Sequence, residues 1–92
     1  MSNVTIVVPP PLRRFVGGHG RIAASATTVR EAVDAFTARS EGLRNHLFDE
    51  RDALRRFVRV FVDGRPAVLT EGKDEAVGDG AEVAILIALA GG

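Results

Sequence analysis

The 92-residue chain contains no cysteine, which excludes disulfides, thiolate metal sites and a cysteine nucleophile. Without such staples the fold has to rest on packing. Net charge is also missing: twelve basic residues balance twelve acidic ones, leaving no overall field to recruit nucleic acid or an anionic membrane. No apolar run approaches the ~20 residues that span a bilayer. The opening "MSNVTIVVPPP" lacks the charged and long apolar regions of a signal peptide. A soluble cytoplasmic protein is therefore expected. Lysine is nearly absent, with Lys73 alone beside eleven arginines. No segment is rich enough in glycine, serine or proline to divide the chain, so residues 1–92 read as one domain.

What is present is strongly patterned, with 46% hydrophobic residues, too many for a disordered chain. "NVTIVVP" is β-branched and stops at a proline run, as a first strand would. Residues 10–20 read as a turn-rich loop and "RIAASA" as the second strand of a hairpin. Over residues 27–40, Val29, Ala32, Val33 and Phe36 follow the spacing of one buried helical stripe. Thr28 is the expected N-cap, Glu31 completes a capping box, and Gly42 is the expected stop. "LRNHLFDERDAL" suits a short helix or a 3₁₀ connector. "RFVRVFVDG" is the clearest strand and ends in an Asp-Gly turn signal. "RPAVL" reads as a short return strand, residues 70–80 as a loop, and "AEVAILIALAGG" as the last strand with a flexible tail at residues 88–92.

This order predicts an α+β fold of the β-grasp type, a mixed four- to five-stranded sheet wrapped on one main helix. The first and last strands are the most apolar, so they are expected side by side in the middle. One helix covers only one face of a sheet. In residues 57–62 the valines alternate with Phe57, Arg59 and Phe61. If Val58, Val60 and Val62 meet the helix, the two phenylalanines flank an arginine on the open face. In the last strand Leu86, Ala88 and Ala90 form one row, and Leu89 continues the other. Together with the phenylalanines these residues are the expected partner-docking surface.

Nothing within the chain has the form of an active site. His19 and His46 have no partner at metal-ligand spacing, and "GGHG" lacks the flanking strand, helix and lysine of a phosphate-binding loop. Arg13, Arg14, Arg55 and Arg56 fit either an acidic partner surface or a solvated face. Asp49, Glu50 and Asp52 read as a surface cluster. The remaining chemical group is the carboxylate of Gly92. Adenylation would give that carboxylate a leaving group, and a sulfur donor would then displace AMP to leave a thiocarboxylate. The five residues 88–92 reach roughly 17 Å when extended, and glycine leaves the acyl carbon unhindered.

"VFVDGRPA", "GDGAEVAIL" and the terminal "LAGG" stand in the order and spacing of a known family. Over essentially its whole length the chain resembles the ubiquitin-like sulfur carriers, the MoaD/ThiS family. "PPPLRRFVGGHG" and "LRRFVRVFVDG" are similar to the branch that carries sulfur for cysteine synthesis. The resemblance implies that Gly92 is adenylated and thiocarboxylated, with Gly91 its required neighbour. It implies no bound cofactor and no enzyme activity, ATP being used by an adenylating partner. The implied acceptor is a PLP-dependent cysteine synthase, followed by a metal-dependent peptidase. Alternatives are the small subunit of molybdopterin synthase, a thiamine-pathway carrier, a ubiquitin-like modifier and a noncovalent β-grasp module.

Overall fold

The structure is a computed structural model that describes residues 1–67, 69 and 75–88. The β-branched N-terminal run forms β1 (Ser2–Val7), which pairs antiparallel with β2 (Arg21–Ala26) from Ser2 opposite Ala26 to Val7 opposite Arg21. Their connection is more ordered than the loop expected for residues 10–20. Pro10–Val16 winds into a 3₁₀ helix, with its prolines in the first turn where missing N–H donors cost nothing. Gly17 ends it at φ +68°, a left-handed conformation that favours glycine. Arg13 Nε then donates to the Val8 carbonyl at 3.1 Å, and the Val8 N–H donates to the Gly20 carbonyl at 2.8 Å.

Helix α1 (Val29–Thr37) starts where its capping signal lies. The Thr28 hydroxyl accepts from the Glu31 N–H at 3.1 Å, and the Glu31 carboxylate accepts from the Thr27 N–H and hydroxyl at 2.8 and 2.6 Å. The helix ends earlier than expected, and Gly42 is not its stop. Gly42 lies inside a second helix, α2 (Glu41–Leu47), where a Cβ would come 2.9 Å from Phe15 Cε1. Glycine is there because it lets the 3₁₀ segment approach α2, not because a helix terminates.

Residues 43–54 thus divide into helix and turn. Phe48 and Leu54 form an isolated bridge, and between them the Asp49 carboxylate accepts from the N–H groups of Arg51 (2.8 Å) and Ala53 (3.1 Å). Over the buried Phe48 ring sit the guanidinium groups of Arg30 and Arg44, 4.6 and 4.7 Å from its centroid. Asp34 and Asp52 bind both arginines, with Arg30 reaching Asp52 at 2.9 Å. The acidic residues read as one surface cluster are therefore divided in their duties. Asp49 closes the turn, and Asp52 ties it back to both helices.

Strand β3 (Val58–Val62) turns at Asp63 and Gly64, both at positive φ as a type I′ hairpin requires, into β4 (Arg65–Pro66). Ala67 adds one bond to the Val60 carbonyl at 2.9 Å, and Val68 of the expected return strand lies outside the described residues. Strand β5 (Glu82–Ile87) completes a five-stranded sheet in the order β2-β1-β5-β3-β4. β5 runs parallel to β1 and antiparallel to β3. The two most apolar strands lie side by side in the interior of a mixed sheet, the expected β-grasp arrangement.

α1 covers one face of that sheet. Its Val29, Ala32, Val33 and Phe36 are fully buried in one cluster with Val4 and Ile6 of β1, the three valines of β3, and Val83 and Ile85 of β5. Leu12, Leu43, Leu47 and Phe48 close the cluster from the 3₁₀ segment and α2. No helix among the described residues is long and apolar enough to cross a membrane.

Three carboxylates titrate low. Glu31 is lowered by the Thr27 hydroxyl and N–H, Asp49 by the N–H groups of Ala53 and Arg51, and Glu75 by its hydrogen bond to Arg65. A lowered folded pKa means that the unfolded chain binds more protons in acid. Their contribution is complete above the ordinary values of 4.5 for glutamate and 3.8 for aspartate. It is lost as pH falls through the lowered folded values. The thermal midpoint is expected to stay level down to about pH 5 and then drop, and Glu31→Gln should remove part of the drop. A midpoint that does not move through the acid range would refute this.

Candidate functional site

The face of the sheet opposite α1 is built by strand alternation. Because Val58, Val60 and Val62 point to the core, Phe57, Arg59 and Phe61 point away from it. The β3–β5 register sets Arg59 opposite Leu86 and Phe61 opposite Ala84. Parallel pairing then places Val7 beside Ala84, so one row crosses the sheet as Arg21, Val7, Ala84, Phe61 and Pro66. Leu86 is 46% exposed and Phe57 38% exposed, whereas Phe61 is half-buried within its row. Apart from Met1, no other large hydrophobic among the described residues is exposed.

Arg59 does not shield Leu86. Its guanidinium folds back to the carbonyls of Arg56 and Val58, leaving the apolar side chain opposite to solvent. At the start of β5, Glu82 forms an ion pair with Arg21 of β2. Asp63 and Glu82 also bond reciprocally: the Glu82 N–H donates to the Asp63 carboxylate and the Asp63 N–H to the Glu82 carbonyl, each at 2.9 Å. The face is therefore polar and tied down where β5 begins, and apolar where β5 ends.

That apolar end carries the last described residues of the chain. Beyond Ile87, paired with Val58, the Ala88 N–H donates to the Phe57 carbonyl at 2.7 Å. The sheet thus holds the backbone as far as Ala88, directly beside Phe57. Of the residues expected to form the docking surface and tail, Phe57, Arg59, Phe61, Leu86 and Ala88 are brought onto one face. Leu89, Ala90, Gly91 and Gly92 lie outside the described residues.

Other sequence candidates go elsewhere. His46 is tilted against the Phe15 ring, with centroids 5.2 Å apart, as part of the packing between the 3₁₀ segment and α2. His19 follows the left-handed Gly17 and Gly18 in the turn into β2. Among the described residues no three His, Cys, Asp or Glu side chains are grouped as metal ligands. Sequence reasoning missed the bond that carries the sheet's grip to Ala88. The available signal was the unbroken apolar run of β5, which continues past the point where a strand of its pairing length needs to end.

Comparison with known proteins agrees with this architecture. The ThiS family model matches residues 6–92. The sulfur carrier protein CysO of Mycobacterium tuberculosis is 34% identical over 92 residues, covering 98% of this chain and 99% of that protein. The structure of the Amycolatopsis orientalis BexX/CysO complex contains a chain that is 35% identical and superposes with a TM-score of 0.81, covering 97% of this chain and 99% of that one. SAMP1 from Haloferax volcanii shares the fold at a TM-score of 0.84 and 22% identity, covering 99% of this chain and 100% of that one. With its β-grasp fold and a family match that reaches its last residue, the chain belongs to the ThiS family of ubiquitin-like proteins.

Proposed function

We propose that this protein is a sulfur carrier whose Gly92 carboxylate is the working group. The observation that carries the reading is the end of β5: the sheet fixes the backbone at Ala88, beside exposed Phe57 and Leu86, just before a short glycine-terminated segment. The open face would dock on a partner while residues 89–92 enter its active site. Those four residues extend about 13–14 Å at ~3.3–3.6 Å each, enough to reach the base of a narrow channel.

The Gly92 carboxylate oxygen attacks the α-phosphorus of ATP on an adenylating enzyme, releasing pyrophosphate and leaving an acyl adenylate. A sulfur donor displaces AMP, and the resulting thiocarboxylate sulfur is nucleophilic at neutral pH. In the pathway reading the acceptor is an activated serine derivative on a PLP-dependent cysteine synthase in the cytoplasm, and a metal-dependent peptidase then releases cysteine. Support comes from the 34% identity to a sulfur carrier along almost the whole chain. The chain itself supplies the docking face and the acyl group, and no bound cofactor is required.

The test is intact-protein mass spectrometry after incubation with ATP, an activating enzyme and a sulfide source. A mass gain equal to exchange of one oxygen for sulfur is expected at Gly92. If candidate activating enzymes from the same source all leave the mass unchanged, the reading is wrong.

Docking on the open face gives a second expectation. Phe57 and Leu86 are exposed, so replacing both by serine should change folding stability by only about 1 kcal/mol. The same double variant should weaken the complex with the activating enzyme by roughly 10- to 100-fold, as expected when two apolar anchors are removed. Wild-type affinity in calorimetry would place the docking surface elsewhere.

A further inference from the structure

A net charge of zero conceals an uneven distribution. β1 and β5 run in the same direction, with Val7 at the end of β1 beside Ala84 of β5, and β3 begins beside the end of β5, Val58 opposite Ile87, because it is antiparallel to β5. To that end the fold brings the 3₁₀ segment following β1, with Arg13 and Arg14, and the approach to β3, with Arg55, Arg56 and Arg59. The hydrogen bonds of these guanidinium groups go to neutral carbonyls: Arg13 to Val8, Arg55 to Asn45, and Arg59 to Arg56 and Val58. Among the described residues none of the five forms an ion pair. Arg21, Arg30, Arg44 and Arg65, by contrast, each meet a carboxylate.

Carboxylates gather elsewhere. Asp63, Asp79 and Glu82 stand at the opposite end, where β5 starts, and Asp79 accepts the Asn3 N–H at 2.8 Å. Asp52 points back to Arg30 at the first turn of α1, and Asp49 is occupied by its own turn. Asp49 also feels the charge of Arg55, while the exposed Glu41 and Glu50 form no ion pair among the described residues. Like charges on one end repel one another, and packing does not demand this grouping, since Arg14, Arg56 and Arg59 are exposed.

We infer that Arg13, Arg14, Arg55, Arg56 and Arg59 form a basic rim at the tail exit that docks on an acidic protein surface around the entrance of the partner's active site. This rests on the tail reading above and adds the chemistry of the partner. The rim borders Phe57 and Ala88, so it is continuous with the apolar docking face. A chain with five arginines toward the tail and Asp63 and Asp79 at the start of β5 would be turned tail-first by an acidic partner during approach. Such steering acts on association rate and falls with added salt.

Two measurements on the full chain decide it. First, kcat/KM of the activating enzyme for this protein should fall at least ~10-fold between low and high ionic strength, with kcat little changed. Arg14→Glu with Arg56→Glu, two exposed positions, should lower kcat/KM a further ~10-fold at low salt and converge on wild type at high salt. Equal values for variant and wild type at low salt would overturn the rim. Second, the isotopically labelled protein is titrated with poly-L-glutamate and, separately, with a single-stranded oligonucleotide. Shift changes confined to residues 9–20 and 54–60 with poly-L-glutamate support the assignment. Scattered or absent changes, or tighter binding of the oligonucleotide, overturn it. If no activating enzyme charges the protein, the tail reading fails, yet the titration still decides whether this end binds acidic polypeptide.

Discussion

Truncation of Phe36 to alanine is expected to cost about 3–5 kcal/mol, the range for a fully buried phenylalanine. Phe36 has no exposed surface and sits in the buried stripe of α1, between the sheet and the residues contributed by α2. Two terms add: the apolar area returned to water, and the cavity left where α1, β1 and β5 cannot all close in. A small domain holds only about 5–15 kcal/mol in total, and this one has no disulfide to fall back on. The thermal midpoint should therefore drop by on the order of 15–30 °C. In urea the midpoint should fall while the slope stays constant. A loss below about 1 kcal/mol would mean that Phe36 is not central to the core. The contrast with Phe57 is the useful control, since the same residue type on the open face is 38% exposed.

Much of this was legible because period and polarity agreed. The stripe Val29, Ala32, Val33 and Phe36 is buried as its spacing requires, and the valines of β3 turn inward as alternation requires. The apolar run of β5 goes to an interior position, and Asp63-Gly64 makes the hairpin. Short-range signals failed where tertiary contact decided. Gly42 has the form of a helix stop, but its role is to admit Phe15. "PPLRRFV" has the form of a loop, and it folds as a 3₁₀ turn whose Leu12 and Val16 are drawn into the core.

Charge was the least legible property. Asp52 finds Arg30 across 22 positions and Arg65 finds Glu75 across ten, while the hydrogen bonds of the Arg13 and Arg55 guanidinium groups go to carbonyls. Composition sums these charges to zero. Only the fold shows which arginines meet a carboxylate and which do not.

Deleting Gly92 is expected to abolish thiocarboxylate formation while leaving fold and docking intact. The sheet's last described hold on the chain is the bond from Ala88 to Phe57. If the tail enters a partner as proposed, the position of its carboxylate is set by the number of residues beyond that anchor. Removing one withdraws it by ~3.3–3.6 Å. A misplacement near 1 Å already costs on the order of 100-fold in a positioned reaction, so the shortened tail should show no detectable sulfur exchange by mass. Gly92→Ala keeps the length but places a methyl beside the acyl carbon and narrows the allowed backbone. Its rate should fall at least ~100-fold if the channel is as close-fitting as two terminal glycines imply. Both variants retain Phe57, Leu86 and the arginine rim, so they should bind the activating enzyme with near wild-type affinity and compete with the full-length protein. Such competitive inhibition separates loss of the reacting group from loss of docking. Sulfur exchange that persists after deletion of Gly92 would remove the terminal carboxylate from the mechanism and leave the open face as a noncovalent binding surface.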